Sequence, residues 1–302
     1  MKAAVLHEYG PATNLKYEDM PDPVPAEGEV LVRVAASSIN PIDYKVRAGH
    51  AQSFYPVEFP VILGRDLSGT VRALGPNTSG FQPGDRVIAL TSATYAELAI
   101  VKASDLVLLP EGLDLVESAA LPLVLLTGSQ LITLGTRIQP GQTVLVAGAI
   151  GGVGRSAVWT AKKAGATVIA GVRNSQLKEA GTIGADSILA LDDPAAMQRL
   201  GFIDAIADAV GGPTAELLLA KVKPGGIFAT VTGAPANAAM NPTIQVTFVG
   251  ATPNSPTLRT LAEDVLAGHL KIPITRMLPL EEAAKGHAAA EKGGIAKVLL
   301  LC

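Results

Sequence analysis

Twelve consecutive residues, Thr-Val-Leu-Val-Ala-Gly-Ala-Ile-Gly-Gly-Val-Gly at 143–154, constrain the fold of this chain more than any other stretch. Residues 144–147 are a short apolar run rich in valine, bounded by Pro140-Gly141 before and by glycines after. That pattern predicts a buried strand entering a tight turn. Gly148, Gly151, Gly152 and Gly154 form the turn, and Val153, Ala157, Ala161 and Ala164 then recur at near-helical spacing up to a stop at Gly165. A strand, a glycine turn and a helix bring unpaired backbone N–H groups and the positive end of a helix dipole to one point. A pyrophosphate fits such a place.

The strict G-x-G-x-x-G pattern is missed by one residue, because Ala149 stands where its first glycine would be. A kinase-like phosphate loop is excluded, since Arg155-Ser156 replaces the required Lys-Ser/Thr pair. A second strand is predicted at 167–172, and the residue after it discriminates between dinucleotides. An NAD site usually puts Asp or Glu there to hold the ribose 2′-hydroxyl. This chain has Arg173, followed by Asn174, Ser175 and, a little later, Lys178. A guanidinium binds a 2′-phosphate through several hydrogen bonds. The expected cofactor is therefore NADPH, held by Gly148, Ala149, Ile150, Gly151, Gly152, Val153 and Gly154 at the pyrophosphate and by Arg173, Asn174 and Lys178 at the 2′-phosphate.

Composition narrows the remaining choices. The chain has 302 residues, 48% hydrophobic and 17% charged, enough for two domains with sizeable cores. Its net charge of −3 and lack of a basic block argue against nucleic acid as a partner. The single cysteine, Cys302, rules out an internal disulfide and a cysteine zinc cluster. No uninterrupted apolar stretch of membrane-spanning length is expected, and the N-terminal apolar run is too short for a signal peptide. A cytoplasmic protein without a membrane partner is the default expectation.

Residues 1–110 read as short strands separated by Pro- and Gly-rich turns, which suggests a partly closed β-barrel. Residues 118–134 read as helix-rich, interrupted at Pro122. From about 140 the pattern becomes alternating strand and helix, with strands expected at 143–147, 167–172, 187–190, 203–207, 226–231 and 245–249. That alternation predicts a doubly wound parallel sheet, an α/β fold with its ligand at the strands' carboxyl ends. A helix at 257–268, a strand near 275–277, a helix at 281–291 and a last strand at 298–301 complete the chain.

Several stretches together resemble the medium-chain dehydrogenase/reductase superfamily, and within it the zinc-free quinone oxidoreductase-like (enoyl/enone reductase) enzymes. They are Asn-Pro-Ile-Asp at 40–43, Gly-Arg-Asp-Leu-Ser-Gly at 64–69, the 119–127 helix, the glycine turn, Asp-Ala-Val-Gly-Gly at 208–212 and Ala-Lys-Val-Leu at 296–299. The resemblance implies a Rossmann domain (119–250) inserted into a GroES-like β-barrel catalytic domain (1–118 and 251–302), an active site in the cleft, and a homodimer. It also implies cofactor contacts from Thr127 and Lys297; Val210 and Gly233, which follow later strands, are expected to line the cofactor groove, and Asn40 to reach the nicotinamide ribose.

Zinc-dependent relatives carry Gly-His-Glu where this chain has Gly64-Arg65-Asp66, and a ligand cysteine near Asn40. Arginine cannot ligate zinc and asparagine is a poor donor, so no metal is expected. The expected reaction is hydride transfer from NADPH to a quinone or an α,β-unsaturated carbonyl, which needs a donor near the oxygen that gains charge. Tyr44 is the expected proton donor, Asn40 a ribose or substrate contact and Asp43 an orienting group. The bland readings are that Asn40-Pro41 is a turn, Asp43 a helix cap and Tyr44 packing. The competing functions are a zinc-type alcohol dehydrogenase and a low-turnover NADPH-binding structural or regulatory protein.

Overall fold

The structure is a computed structural model describing residues 1–302. The chain divides into two compact units, Met1–Leu123 with Pro253–Cys302 and Val124–Thr252. The breaks expected at 118/119 and 250/251 fall instead at 123/124 and 252/253.

The unit 124–252 carries six parallel strands, Thr143–Ala147, Thr167–Val172, Ser187–Ala190, Ile203–Asp208, Val222–Thr230 and Gln245–Phe248. They pair in the spatial order third, second, first, fourth, fifth, sixth. The order reverses between the first and fourth strands, the switch point at whose carboxyl ends open α/β sheets bind their ligands. Both faces of the sheet are covered, which explains the nearly continuous apolar strands. On one face Val144, Val146, Val168 and Ala170 pack against Ala157, Val158 and Ala161 of the helix Gly152–Lys163. On the other, Leu145, Ile206 and Phe228 pack against Ala215, Leu218 and Leu219 of the helix Gly212–Leu219. The expected strand at 226–231 starts earlier, because Pro224-Gly225-Gly226 are absorbed as an irregularity between the pairs Ile203↔Val222 and Ala205↔Ile227.

One feature departs from the sequence expectation. The helical run Glu117–Thr136 is long and apolar enough to cross a membrane by length and composition, and it is mostly buried inside the fold. The interruption expected at Pro122 is present as a change of helix type. A tighter turn ends at Ala120 and Pro122 opens the α-helix Pro122–Gln130, where its missing N–H costs nothing.

The other unit is built from both ends of the chain. Its central strand, Glu29–Ile39, pairs antiparallel with Asp66–Leu74, Leu98–Lys102 and the C-terminal strand Lys297–Leu301. Val30, Val32, Val34, Leu67, Val71, Val87 and Val101 fill its core. A separate three-stranded sheet joins Lys2–Leu6 to Leu15–Asp19 and Val61–Ile62. The strand Leu15–Asp19 and the helix Pro41–Arg47 were not legible as elements in the sequence. In the first, Leu15 alone is buried and the rest is polar. The second is one short helix whose start Asp43 fixes, its Oδ2 accepting from Asn40 N–H at 2.8 Å.

Candidate functional site

The glycine turn makes a cradle at the carboxyl end of the strand Thr143–Ala147. Gly148 has a positive φ of 76°, and its N–H and that of Ala149 donate to the Gly171 carbonyl at 2.9 and 3.2 Å. Gly151 N–H donates back to the Gly148 carbonyl at 3.0 Å. Gly151 is then the N-cap of the helix Gly152–Lys163, whose first backbone bond runs from Arg155 N–H to the Gly151 carbonyl. The N–H groups of Gly152, Val153 and Gly154 therefore precede the helix ladder and have no intrahelical acceptor. A Cβ at Gly154 would lie 2.1 Å from the Gly148 carbonyl oxygen. Only glycine lets helix and turn approach this closely. Arg155 braces the turn, donating from Nε to the Ile150 carbonyl at 2.8 Å and pairing with Glu179. These residues fit a pyrophosphate: three free donors, a dipole end and no side chain in the way.

Neighbouring turns frame the cradle. Asp208, fully buried, accepts from Val210 N–H and Gly211 N–H at 3.0 Å each. Its second oxygen accepts from the hydroxyls of Thr230 and Thr232 at 2.9 and 3.2 Å. One carboxylate thus fixes the turns after the fourth and fifth strands, and with them Val210 and Gly233. The motif Asp-Ala-Val-Gly-Gly at 208–212 contains this residue, but its role is visible only once those strands pair in parallel. Thr127 is buried on the helix Pro122–Gln130. Arg173, Asn174 and Lys178 are exposed just past the second strand. Asn174 N–H donates 2.7 Å to a carboxylate oxygen of Asp192. Sequence reasoning missed Asp192, because it follows the third strand rather than the second.

In the unit formed by the chain ends, the strand register gathers three residues far apart in sequence. Ser38 pairs with Asp66 on one side and with Leu299 on the other. The Lys297 ammonium donates to Ser38 Oγ at 2.7 Å, Asn40 Oδ1 at 2.5 Å and Asp66 Oδ2 at 3.2 Å. Asn40 Nδ2 donates to Asp66 Oδ2 at 2.8 Å, and Leu123 N–H donates to Asp66 Oδ1 at 2.6 Å. Asn40, Asp66 and Lys297 are all buried. This alters two expectations. Both ends of the Asn40 amide are engaged inside the unit, and all three Lys297 donors have acceptors there. Neither side chain has a group left over for a ribose or a phosphate, and each serves as an internal brace.

Asp43 and Tyr44 separate on the helix Pro41–Arg47. Asp43 Oδ2 accepts from Asn40 N–H at 2.8 Å and from the Tyr95 hydroxyl at 3.0 Å, and the Tyr95 oxygen lies 3.2 Å from His287 Nε2. The helix cap expected of Asp43 is present. Tyr44 is half-buried among apolar neighbours, and burial first, then the negative charges of Glu291 and Asp43, raise its pKa.

Burial pushes the Asp43 carboxyl up from 3.8 to about 7, and burial with the nearby Arg47 charge pushes His287 down from 6.5 to about 3. Folded Asp43 keeps a proton that the unfolded chain releases above about pH 4, so its contribution to stability falls as pH rises toward 7. His287 acts oppositely: its contribution is present above pH 6.5 and is lost as pH falls toward 3. Relative to wild type, Asp43→Asn is expected to gain stability from pH 4.5 to 6.5 by on the order of 1 kcal/mol per pH unit. Urea unfolding at several pH values measures this. Parallel pH profiles would contradict it.

The residues do not fit a catalytic zinc. No group of three or more His, Cys, Asp or Glu side chains is placed to hold a metal ion. Asp66 already faces the Lys297 ammonium, and Arg65 Nε donates to the Thr91 carbonyl at 2.8 Å while its guanidinium lies over the Tyr55 ring. His50 is exposed.

Comparison with known proteins agrees with this architecture. The alcohol dehydrogenase GroES-like domain matches residues 26–111, and the family described as zinc-binding dehydrogenase matches residues 183–296. A chloroplast envelope quinone oxidoreductase homolog from Arabidopsis thaliana is 34% identical over 206 residues, 64% of this chain and 62% of that protein. The chain thus matches somewhat under two thirds of that relative's length. An acryloyl-coenzyme A reductase from Sulfurisphaera tokodaii is 31% identical over 75% of each chain. A solved mycobacterial structure complexed with NADPH superposes with a TM-score of 0.86 at 26% identity, covering 100% of both chains. With a doubly wound sheet, a GroES-like unit formed from both chain ends and these relatives, the chain belongs to the medium-chain dehydrogenase/reductase superfamily, in its quinone oxidoreductase-like family.

Proposed function

We propose that this protein is a zinc-independent oxidoreductase that passes hydride from NADPH to a quinone or an α,β-unsaturated carbonyl. The observation that carries the reading is the 148–154 cradle, whose free N–H groups and absent side chains suit a pyrophosphate. NADPH, when bound, supplies the hydride, so the chain's task is binding, alignment and proton delivery. Gly152, Val153 and Gly154 hold the pyrophosphate, Arg173 meets the 2′-phosphate with Asn174 and Lys178 beside it, and Val210, Gly233 and Thr127 border the groove. Tyr44 is the proton donor to the oxygen that gains charge; its phenol, with its pKa raised by burial, is protonated before the transfer. Asp43, through Asn40 N–H, fixes the start of the helix that bears Tyr44.

The relatives named as quinone oxidoreductase and acryloyl-coenzyme A reductase support acceptors with a conjugated carbonyl. The Lys297–Asp66 pair supports a reaction without zinc, against the alcohol dehydrogenase alternative. A cytoplasmic homodimer belongs to the same proposal. Phe248, 58% exposed on the edge strand Gln245–Phe248, supports pairing between copies. The test is NADPH titration followed by turnover on a panel of quinones and enones. Binding with oxidation of NADPH is expected; tight binding with no oxidation across the panel favours a binding protein instead.

A further inference from the structure

Two opposed charges sit just past the carboxyl ends of the second and third strands of the parallel sheet. Arg173 is one of them. The other is Asp192, which the sequence places nineteen positions further on and the sheet brings alongside, because the second and third strands run parallel with Val172 opposite Ala190. Leu191 N–H extends that pairing, donating to the Val172 carbonyl at 2.7 Å. Asp192 then follows, and its carboxylate accepts from Asn174 N–H at 2.7 Å. The adjacent acid, Asp193, is committed elsewhere: it caps the helix Pro194–Arg199, accepting from Ala195 and Ala196 N–H. Arg173 N–H is also taken, by the Gln176 side chain at 3.0 Å. The two backbone donors at the tip of the second strand are therefore both occupied by the chain's own side chains, one of them a carboxylate.

We propose that Asp192 is a specificity-determining residue of the dinucleotide site, placing a negative charge at the ribose 2′ position so that the site accepts NADH alongside NADPH. The inference rests on the dinucleotide reading above and deepens it. A 2′-phosphate arriving at Arg173 meets attraction from the guanidinium and repulsion from the Asp192 carboxylate, and it finds the Asn174 N–H already bonded. A 2′-hydroxyl meets no such repulsion and can donate to the carboxylate. The second strand therefore presents a residue suited to NADPH, and the third strand supplies the acid that an NADH site requires. Both charges are exposed, so their effects weaken as salt rises.

The test is equilibrium titration of NADPH and NADH, read by reduced-nicotinamide fluorescence, on wild type, Asp192→Asn, Asp193→Asn and Arg173→Gln. Asparagine at 192 keeps an oxygen for Asn174 N–H and removes only the charge. Wild type is expected to bind both cofactors. Asp192→Asn is expected to raise the NADPH-to-NADH affinity ratio roughly fivefold to tenfold at low salt, as for one nearby exposed charge. Arg173→Gln is expected to lower that ratio, and Asp193→Asn to leave it alone. An unchanged ratio in a folded Asp192→Asn protein that still binds both cofactors would overturn the inference and leave the dinucleotide reading standing. An equal rise in Asp193→Asn would overturn it too, since the effect would then be general charge. Failure of wild type to bind either cofactor would sink the dinucleotide reading and this inference together. Asp192→Ser gives the same comparison should the asparagine variant fold poorly.

Discussion

Lys297→Met is expected to destabilise the unit formed by the two chain ends by about 3–5 kcal/mol, the usual loss when one partner of a buried ion pair is removed. Methionine fills much of the same volume, but it leaves the fully buried Asp66 carboxylate without its cation. Ser38 Oγ and Asn40 Oδ1 lose a donor at the same stroke. For a protein of this size the change lowers the melting temperature by roughly 10 °C. Thermal and urea unfolding measure it. Pairing the substitution with Asp66→Asn removes the orphaned charge and should recover part of the loss, because a neutral amide is far cheaper to bury than a carboxylate. A Lys297→Met protein as stable as wild type would show that the ammonium is not the brace described here. It would also return Lys297 to the list of residues free to meet a ligand.

Gly154→Val is expected to abolish dinucleotide binding, weakening it by about a hundredfold or more, and to cost about 1–3 kcal/mol of stability by overpacking. The new Cβ would sit 2.1 Å from the Gly148 carbonyl oxygen and 2.7 Å from Ala149 Cα, both backbone atoms that cannot turn away. Helix and turn must separate, and the three free N–H groups lose their common focus. Gly181→Ala is the control. Its φ is −62° and its nearest contact for a Cβ is 3.4 Å, so stability and binding should both survive. NADPH titration of the two variants checks the pair; equal affinities would mean that the turn is not the binding site.

The parallel sheet was legible because both of its faces are covered. Strands such as Thr143–Ala147 and Thr167–Val172 then read as apolar runs cut by glycine, with little room for another interpretation. The strand Leu15–Asp19 was not legible, since four of its five residues escape full burial and it shows no alternation. The site divides along similar lines. The glycine cradle is local in sequence and announces itself. The brace joining Lys297 to Ser38 spans 259 positions, and only the antiparallel register of three strands reveals it. A lysine and an asparagine met in sequence look like spare polar groups, whereas buried together with Asp66 they satisfy one another. Asp192 was hidden for a related reason. Searching for an acid after the second strand follows the chain, but the acid comes from the neighbouring strand, and spatial adjacency in a parallel sheet is not adjacency in sequence.

The central claim, hydride transfer without zinc, is tested most directly by one measurement on the purified protein. Its metal content is determined, and NADPH oxidation on the quinone and enone panel is followed before and after chelation. The account predicts far less than one zinc per chain and the same turnover, matched by acceptor reduction, in both samples. Stoichiometric zinc whose removal abolishes turnover and whose return restores it would contradict the account.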